Sequence, residues 1–368
     1  MARITKQTAA GSEVVTLDRG SFQEHFVTLT PTADESPGSL FERAGATTHA
    51  LGGQIVSAEV LGVAAGDRKD FDRLVKVLDS GAVPLGWVEN TRTDNRYGIH
   101  LWVVTGAEVQ RLEWNGRCVG SVLEDEDVRY CRLVGLLPTD ATSSRGEQAA
   151  EILRQMDALL EAGRMAFSDV LRTWFYNNAI LDWYGDFNKV RTAFFEEKGV
   201  FGGLLPASTG VGGRNAGNAA LTAGLIAVQA KSADVRAFET PSPLQSPAPE
   251  YGSSFSRAVE LDTPDHRRLY VSGTASIDEL GKTVFLNDPD AQLRKTMEVV
   301  HAILEAREMG WEDVVRALAY FKHAEDTPLF EAHLQKNRLR RFPVVIVEND
   351  ICRDDLLFEI EVDAIKTK

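Results

Sequence analysis

The last part of the chain alternates apolar and acidic residues with the period of a β-strand. The alternation divides it into two faces, an apolar one and an acidic one: Phe358, Ile360, Val362 and Ala364 against Glu359, Glu361 and Asp363. Same-face neighbours lie roughly 7 Å apart, so enclosure of the acidic face would favour protonated carboxyl groups through desolvation and mutual repulsion. A carboxyl kept protonated near neutral pH is a candidate general acid. The alternative is an acidic face that simply meets water.

Hydrophobic spacing also predicts the elements further upstream. Short alternating runs between about Leu51 and Leu137, separated by Gly, Asp and Asn, predict the strands of a sheet. From Glu147 to Gly163 the apolar residues recur at helical spacing, which predicts an amphipathic helix.

One segment of the chain is repeated. With a shift of 144 positions, Asp157–Tyr176 and His301–Tyr320 share nine of twenty residues, which indicates an internal duplication of one α/β unit. Between the copies, Thr240–Pro249 holds four prolines in ten residues, which is typical of a linker. We therefore expect three regions, listed in chain order: an N-terminal domain (1–235) with extra strands and the first copy at about 125–235, a linker (236–249), and a second copy (250–368).

Composition narrows the function. The 368 residues are 43% hydrophobic and 26% charged, as in an ordinary globular protein, and the net charge of −14 argues against nucleic acid or anionic membrane as partners. An anionic small substrate would need Arg or Lys focused in a pocket. Cys118, Cys131 and Cys352 have no metal-like spacing, and no stretch approaches the roughly 18 apolar residues of a membrane span. We expect a cytoplasmic protein without disulfides or bound zinc.

Four runs in the second copy resemble the RidA (YjgF) fold in order and spacing: Tyr251–Val259, Leu269–Gly273, Asp290–Gln292 and Phe358–Glu361. That fold packs two helices against a mixed sheet, and three units normally close a trimeric barrel. The resemblance implies an α/β (α+β) protein in which two RidA-like units with mixed sheets form a pseudo-trimeric, barrel-like core with the helices outside. It also implies a monomer with internal pseudo-symmetry, although the sequence leaves the oligomeric state open.

Two further runs, Leu204–Gly213 and Asp350–Glu359, are similar to the chorismatases, and the resemblance spans roughly residues 130–366. It implies an enzyme that cleaves the enolpyruvyl ether of chorismate, a dianion, into pyruvate and a ring acid without a metal or organic cofactor. Glu359 is then the acid that protonates the ether's methylene carbon. Cys352, seven residues earlier, marks the subgroup that forms 3-hydroxybenzoate, whereas alanine there marks the subgroup that forms a dihydroxycyclohexadiene acid.

The candidate substrate-binding residues come from both copies: Arg191, Ser208, Thr209, Gly210, Tyr176, Gly273 and Thr274. Arg191 shares a helical face with Phe187 and Phe194, and its counterpart in the second copy is Leu334. Such an arginine either meets a buried anion or extends to water, and the pattern alone favours the second outcome. Ser208, Thr209 and Gly210 lie in a Gly-rich stretch, within an extended segment expected to begin near Pro206, whose hydroxyls and flexible backbone N–H groups could hold a carboxylate.

Two other functions stay open. A RidA-like imine or enamine deaminase would carry an arginine two residues after the proline that corresponds to Pro343, but Val344, Val345 and Ile346 occupy that neighbourhood. A non-catalytic module that binds a small carboxylate is the second alternative. It would have no use for the acidic face around Glu359.

Overall fold

The computed structural model describes residues 2–20, 22–63, 74, 76–78, 83–92 and 96–368. Its strands form three six-stranded sheets. The first sheet contains β1 (Arg3–Ala9), β2 (Ser12–Asp18), β3 (Gln23–Leu29), β4 (Gln54–Gly62), β5 (Leu85–Glu89) and β6 (Gly98–Thr105). The second contains β7 (Gln110–Trp114), β8 (Arg117–Glu124), β9 (Val128–Leu136), β10 (Val170–Asn177), β11 (Ala207–Gly212) and β12 (Leu221–Ala230). The third contains β13 (Arg236–Thr240), β14 (Ala258–Asp262), β15 (His266–Ala275), β16 (Val314–Phe321), β17 (Val345–Glu348) and β18 (Phe358–Thr367).

All three sheets have the same topology. When the strands are numbered in chain order within each sheet, every sheet reads 1-2-3-6-4-5 across, and its fourth and fifth strands run parallel. A register shift interrupts the fourth strand of each sheet at an equivalent place, at Val56, Leu171 and Val315. The chain thus contains three copies of one unit, so the prediction of two copies preceded by extra strands is incomplete.

Helices cover the outer face of each sheet. In the described ranges they are α1 (Pro37–Leu51) in the first unit, α2 (Arg145–Ala162) and α3 (Tyr184–Glu197) in the second, and α4 (Pro289–Glu305) and α5 (Pro328–Lys336) in the third. Local sequence sets where they begin, since Ser144 and Glu147 form a capping box at α2, and Asp288 caps α4 just before Pro289. None of the helices in the described ranges has the length and apolar character needed to cross a bilayer.

The inner faces of the three sheets meet in one apolar cluster. Its large side chains include Trp102 from the first sheet, Tyr130 and Trp174 from the second, and Tyr320 from the third. Each sheet has a further core on its other face, and in all three cases a helix packs there. The predicted mixed sheets with helices outside are confirmed.

The predicted barrel-like closure is not observed. In the described part of the chain, the units are joined by isolated bridges at Glu89–Arg214 and Ala207–Ser256 and by single backbone hydrogen bonds such as Gly212 to the Asp350 carbonyl, not by continuous strand ladders. Side chains rather than strand ladders hold the sheets together, so the three sheets stay open and form no closed barrel.

The stretch predicted as a linker is partly a strand. Arg236–Thr240 forms β13, which pairs antiparallel with β14 at the edge of the third sheet. The prolines follow this strand from Pro241 onward, consistent with their lack of an N–H to donate to a ladder.

Candidate active site

A cavity of about 580 Å³, partly open to solvent, lies between the second and third units. The second unit contributes Tyr184 and Arg191 from α3 and Ser208 and Gly210 from β11. The third unit contributes the remaining lining residues: Tyr251, Ser253, Phe255, Arg257, Gly273, Ala275, Ile277, Cys352, Arg353, Leu356 and Glu359. The structure therefore brings together residues that are far apart in the sequence.

Strand β18 is buried on both faces from Phe358 to Ala364, so the acidic face does not meet water as the alternative supposed. Glu359 is 4% exposed, and within the described ranges its carboxyl has no hydrogen-bond or ion-pair partner. Burial, followed by the nearby charge of Glu361, raises the pKa of Glu359 to about 8, although Arg172 and Arg353 oppose the shift. A protonated carboxyl therefore faces the cavity at neutral pH.

Glu361, two residues further along the same face, has the opposite character. Trp174 Nε1 donates to its Oε1 at 2.8 Å, and Arg316 Nη1 donates to the same oxygen at 2.6 Å. Arg172 Nη2 lies 3.1 Å from Oε2. The two guanidinium groups outweigh burial and hold the pKa of Glu361 far below its usual value. One strand thus presents a neutral acid and a fixed carboxylate side by side.

The cavity is lined by three arginines without acidic partners. Arg191 is 1% exposed; its Nη2 donates to Asn188 Oδ1 at 2.9 Å, and its Nε has no partner. Arg257 donates to the Ser246 carbonyl at 2.9 and 2.7 Å, and Arg353 donates to the Gly281 carbonyl. None of the three forms an ion pair within the described residues. The cavity therefore presents uncompensated positive charge in a protein of net charge −14.

The structure corrects the preferred interpretation of Arg191. Its side chain stays inside, because Phe187 packs against it at 5.4 Å and the cavity accommodates its guanidinium. Sequence reasoning missed Arg257, Arg353 and the phenols of Tyr184 and Tyr251. Arg257 and Tyr251 lie in a run that carried the family resemblance, and Arg353 follows Cys352 directly, so adjacency was the available signal.

The Gly-rich stretch forms strand β11, as expected for an extended segment after Pro206, so its backbone is fixed in a sheet rather than flexible. Ala207–Gly212 pairs parallel with β10, so alternate residues point to opposite sides. Ser208 and Gly210 line the cavity, while Thr209 points away from it and accepts a hydrogen bond from Arg172 at 3.0 Å. Glycine suits position 210, since a Cβ there would lie 3.2 Å from the Tyr184 hydroxyl.

Among the other predicted site residues, some line the cavity and some do not. Gly273 lines the cavity beside Glu359, whereas Tyr176 and Thr274 do not line it. Thr274 donates to the Ser272 carbonyl at 2.9 Å, and Tyr176 packs in the cluster between the three sheets. The structure thus separates Tyr176, Thr209 and Thr274 from the other candidates.

Cys352 lines the cavity as a thiol. Burial, with a smaller contribution from Glu359, raises its pKa to about 12. It therefore acts as a bulky weak donor and acceptor and not as a thiolate nucleophile. Within the described ranges, no group of three or more His, Cys, Asp or Glu side chains is placed to hold a metal ion.

A second cavity, of about 590 Å³, lies between the three sheets and is also rich in arginine. Its cations are paired, however: Arg132 with Glu59 at 2.8 Å, Arg268 with Glu24, and Arg316 with Glu361. Because these charges are already compensated, this cavity does not call for an anionic ligand.

The chain resembles known proteins both in sequence and in fold. A family model described as Endoribonuclease L-PSP matches residues 245–366. A chorismatase from Streptomyces rapamycinicus is 30% identical over 223 residues, which cover 54% of this chain and 65% of that protein, slightly less than two thirds of its length. A 3-hydroxybenzoate synthase from Streptomyces hygroscopicus is 25% identical over 283 residues, covering 71% of this chain and 79% of the synthase. A chorismatase crystal structure has a similar fold, with a TM-score of 0.63 and 19% identity over 84% of this chain and 93% of that chain.

Proposed function

We propose that the chain is a chorismatase, which cleaves the enolpyruvyl ether of chorismate and releases pyruvate. The observation that carries this proposal is the pairing of a protonated Glu359 with three uncompensated arginines in one cavity. A dianionic enol ether needs both features, since its carboxylates require cations and its cleavage requires a proton at carbon.

In this proposal, Arg191, Arg257 and Arg353 hold the two substrate carboxylates. Each arginine has a backbone or amide partner that fixes its position and leaves donors free for a ligand. Tyr184 and Tyr251 remain neutral, because burial raises the pKa of both phenols, so they too are hydrogen-bond donors to an anion.

Glu359 supplies the chemical step. Its proton passes to the terminal methylene carbon of the enolpyruvyl group, and the positive charge that develops on the ether carbon is stabilised by the ether oxygen. The bond between that oxygen and one of its carbons then breaks, and pyruvate leaves. General acid catalysis of this kind typically contributes about 10² to 10⁴ in rate.

We propose 3-hydroxybenzoate as the second product. The Cys352 thiol is larger than a methyl group and restricts the space beside Glu359, which disfavours entry of a hydrolytic water. The substrate's own ring hydroxyl is then the available nucleophile. Its oxygen bonds to the ring carbon that carries the ether while the bond from that carbon to the ether oxygen breaks, the ether oxygen leaves as the keto oxygen of pyruvate, and the hydroxyl proton returns to Glu359. The ring then isomerises to the arene, so all atoms of chorismate are divided between pyruvate and 3-hydroxybenzoate. The diene diol would instead require one added water.

The test is incubation of the purified protein with chorismate. Pyruvate is followed by a coupled lactate dehydrogenase assay, and the ring product is identified by chromatography. We expect pyruvate and 3-hydroxybenzoate in equal amounts, and an unchanged rate for Tyr176→Phe, because that hydroxyl does not line the cavity. A folded protein that releases no pyruvate from chorismate would refute the proposal.

A further inference from the structure

Glu361 is the most extensively bound carboxylate next to the candidate acid. It is fully buried, and donors reach both of its oxygens: Arg316 and Trp174 at Oε1, and Arg172 and Tyr320 at Oε2, the last at 3.3 Å. A carboxylate in contact with four donors, two of them cations, stays ionised and keeps one orientation. Its charge is therefore a fixed feature of the site.

The two arginines that contact Glu361 are related by the internal repeat. Arg172 and Arg316 occupy equivalent positions, each directly after the register shift in the fourth strand of its unit. The first unit has Ser57 at this position. The second and third units thus each direct an arginine to the same carboxylate, which belongs to the third unit.

Arg172, the cation that opposes the raised pKa of Glu359, forms its hydrogen bonds and ion pairs with other groups. Arg172 donates to the Val271 carbonyl, to Thr209 Oγ1 and toward Glu361. The other ionisable groups around Glu359 come from three places. Tyr184 and Arg191 lie on α3, Cys352 and Arg353 lie in the segment before β18, and Tyr251 and Arg257 line the cavity ahead of β14. No element that packs against Glu359 gives it an ion-pair partner in the described part of the chain.

We propose that Glu361 is a positioning residue for the reaction: held by Arg172 and Arg316, its fixed negative charge adds to the effect of burial and favours the acid form of Glu359. The inference rests on the proposed function only for its consequence in turnover. Glu361 itself does not touch the cavity, so its effect passes through Glu359.

Two single substitutions test this proposal, because they should shift the titration of Glu359 in opposite directions. Glu361→Gln removes the repelling charge and leaves Arg172 behind, so the basic limb of the pH profile of kcat/KM should shift to lower pH by about one unit or more. Arg172→Gln removes the attracting cation while Arg316 still holds Glu361 ionised, so the limb should shift to higher pH. General damage to the fold would not produce shifts of opposite sign.

A spectroscopic readout separates this inference from the proposed function. The infrared C=O band of the protonated Glu359 carboxyl, assigned by its loss in Glu359→Gln, can be titrated in the free protein without any substrate. The band should titrate at lower pH in Glu361→Gln and at higher pH in Arg172→Gln than in the wild type. If chorismate is not a substrate, this titration still decides the role of Glu361.

Controls address charge and folding. Asp363→Asn removes another buried carboxylate of the same face that lies near the same arginines, at 3.7 Å from Arg172 and 3.5 Å from Arg316. Asp363→Asn should shift the titration midpoint of the band by less than half as much as Glu361→Gln. If Glu361→Gln does not fold, the charge-balanced double variant Glu361→Gln, Arg316→Met should still lower the pH midpoint at which the band titrates. Equal shifts for Asp363→Asn and the Glu361 variant, or shifts of one sign in Glu361→Gln and Arg172→Gln, would overturn the proposal.

Discussion

Replacing Arg191 with leucine should improve stability and abolish tight substrate binding. Leucine is the residue that the third unit carries at the equivalent position, Leu334, where it is buried in the core of that unit. Arg191 is buried without a counter-ion, and burial lowers its pKa. Apolar replacement of buried ionic groups typically stabilises by about 1 to 4 kcal/mol. The lost contact with the Phe187 ring offsets about 0.5 to 1 kcal/mol of this, so we expect a net gain of up to about 3 kcal/mol.

The effect on binding has the opposite sign. Loss of one partner of a buried charge pair costs about 2 to 5 kcal/mol, which corresponds to affinity weaker by about 30-fold to several thousand-fold. The assays are urea unfolding followed by tryptophan fluorescence, and KM for pyruvate release from chorismate. Lys189→Ala is the matched control, since it removes one positive charge from the same helix at a side chain that is 80% exposed. It should leave both quantities nearly unchanged.

A lower free energy of unfolding together with an unchanged KM for Arg191→Leu would refute this reasoning. That outcome would mean that the guanidinium serves the fold and that another group holds the substrate.

Three further predictions follow from the cavity. Gly273→Ala should lower turnover by about 10²-fold or more, because the new Cβ would lie 2.1 Å from Glu359 Oε1 and displace the acid; the kcat of a variant with normal circular dichroism checks this. Cys352→Ala should divert product from 3-hydroxybenzoate toward the diene diol, and chromatography showing an unchanged product ratio would contradict the role of the thiol. The third concerns pH. The pKa of Glu359 is raised above its unfolded value, so its contribution to stability is complete below about pH 4.5 and is lost as pH rises through about 8. Relative to Glu359→Gln, the wild type should therefore lose up to about 5 kcal/mol between these limits, and a difference between the two proteins in urea unfolding that does not change with pH would exclude the raised pKa.

Periodicity predicted the strand that carries Glu359 and the division of its residues into two faces. It did not decide whether the acidic face is buried, because that depends on the neighbouring units that cover β18. The repeat was recognised from the matching segments Asp157–Tyr176 and His301–Tyr320. The first unit escaped notice because many residue combinations satisfy the alternation of a strand, so a common topology leaves little shared sequence.

A site residue could be predicted where it differs from the equivalent residue of the other copy, as Arg191 differs from Leu334. Which side of a strand meets the cavity could not be read from the Gly-rich pattern, and Thr209 was grouped with Ser208 for that reason. Arg257 and Arg353 were missed because their role depends on lacking an acidic partner, which is a property of the folded surroundings rather than of any local pattern.

The most direct test of the account compares chorismate turnover and chorismate affinity in wild type and Glu359→Gln. Glutamine is neutral and nearly isosteric with a protonated glutamate but has no acidic proton to transfer to carbon. The account predicts that pyruvate release falls by about 10² to 10⁴, while the dissociation constant for the dianionic substrate stays the same. If pyruvate release stays within a factor of about three of wild type, Glu359 is not the acid. If affinity instead rises sharply, the wild-type carboxyl was ionised, and the central claim is contradicted.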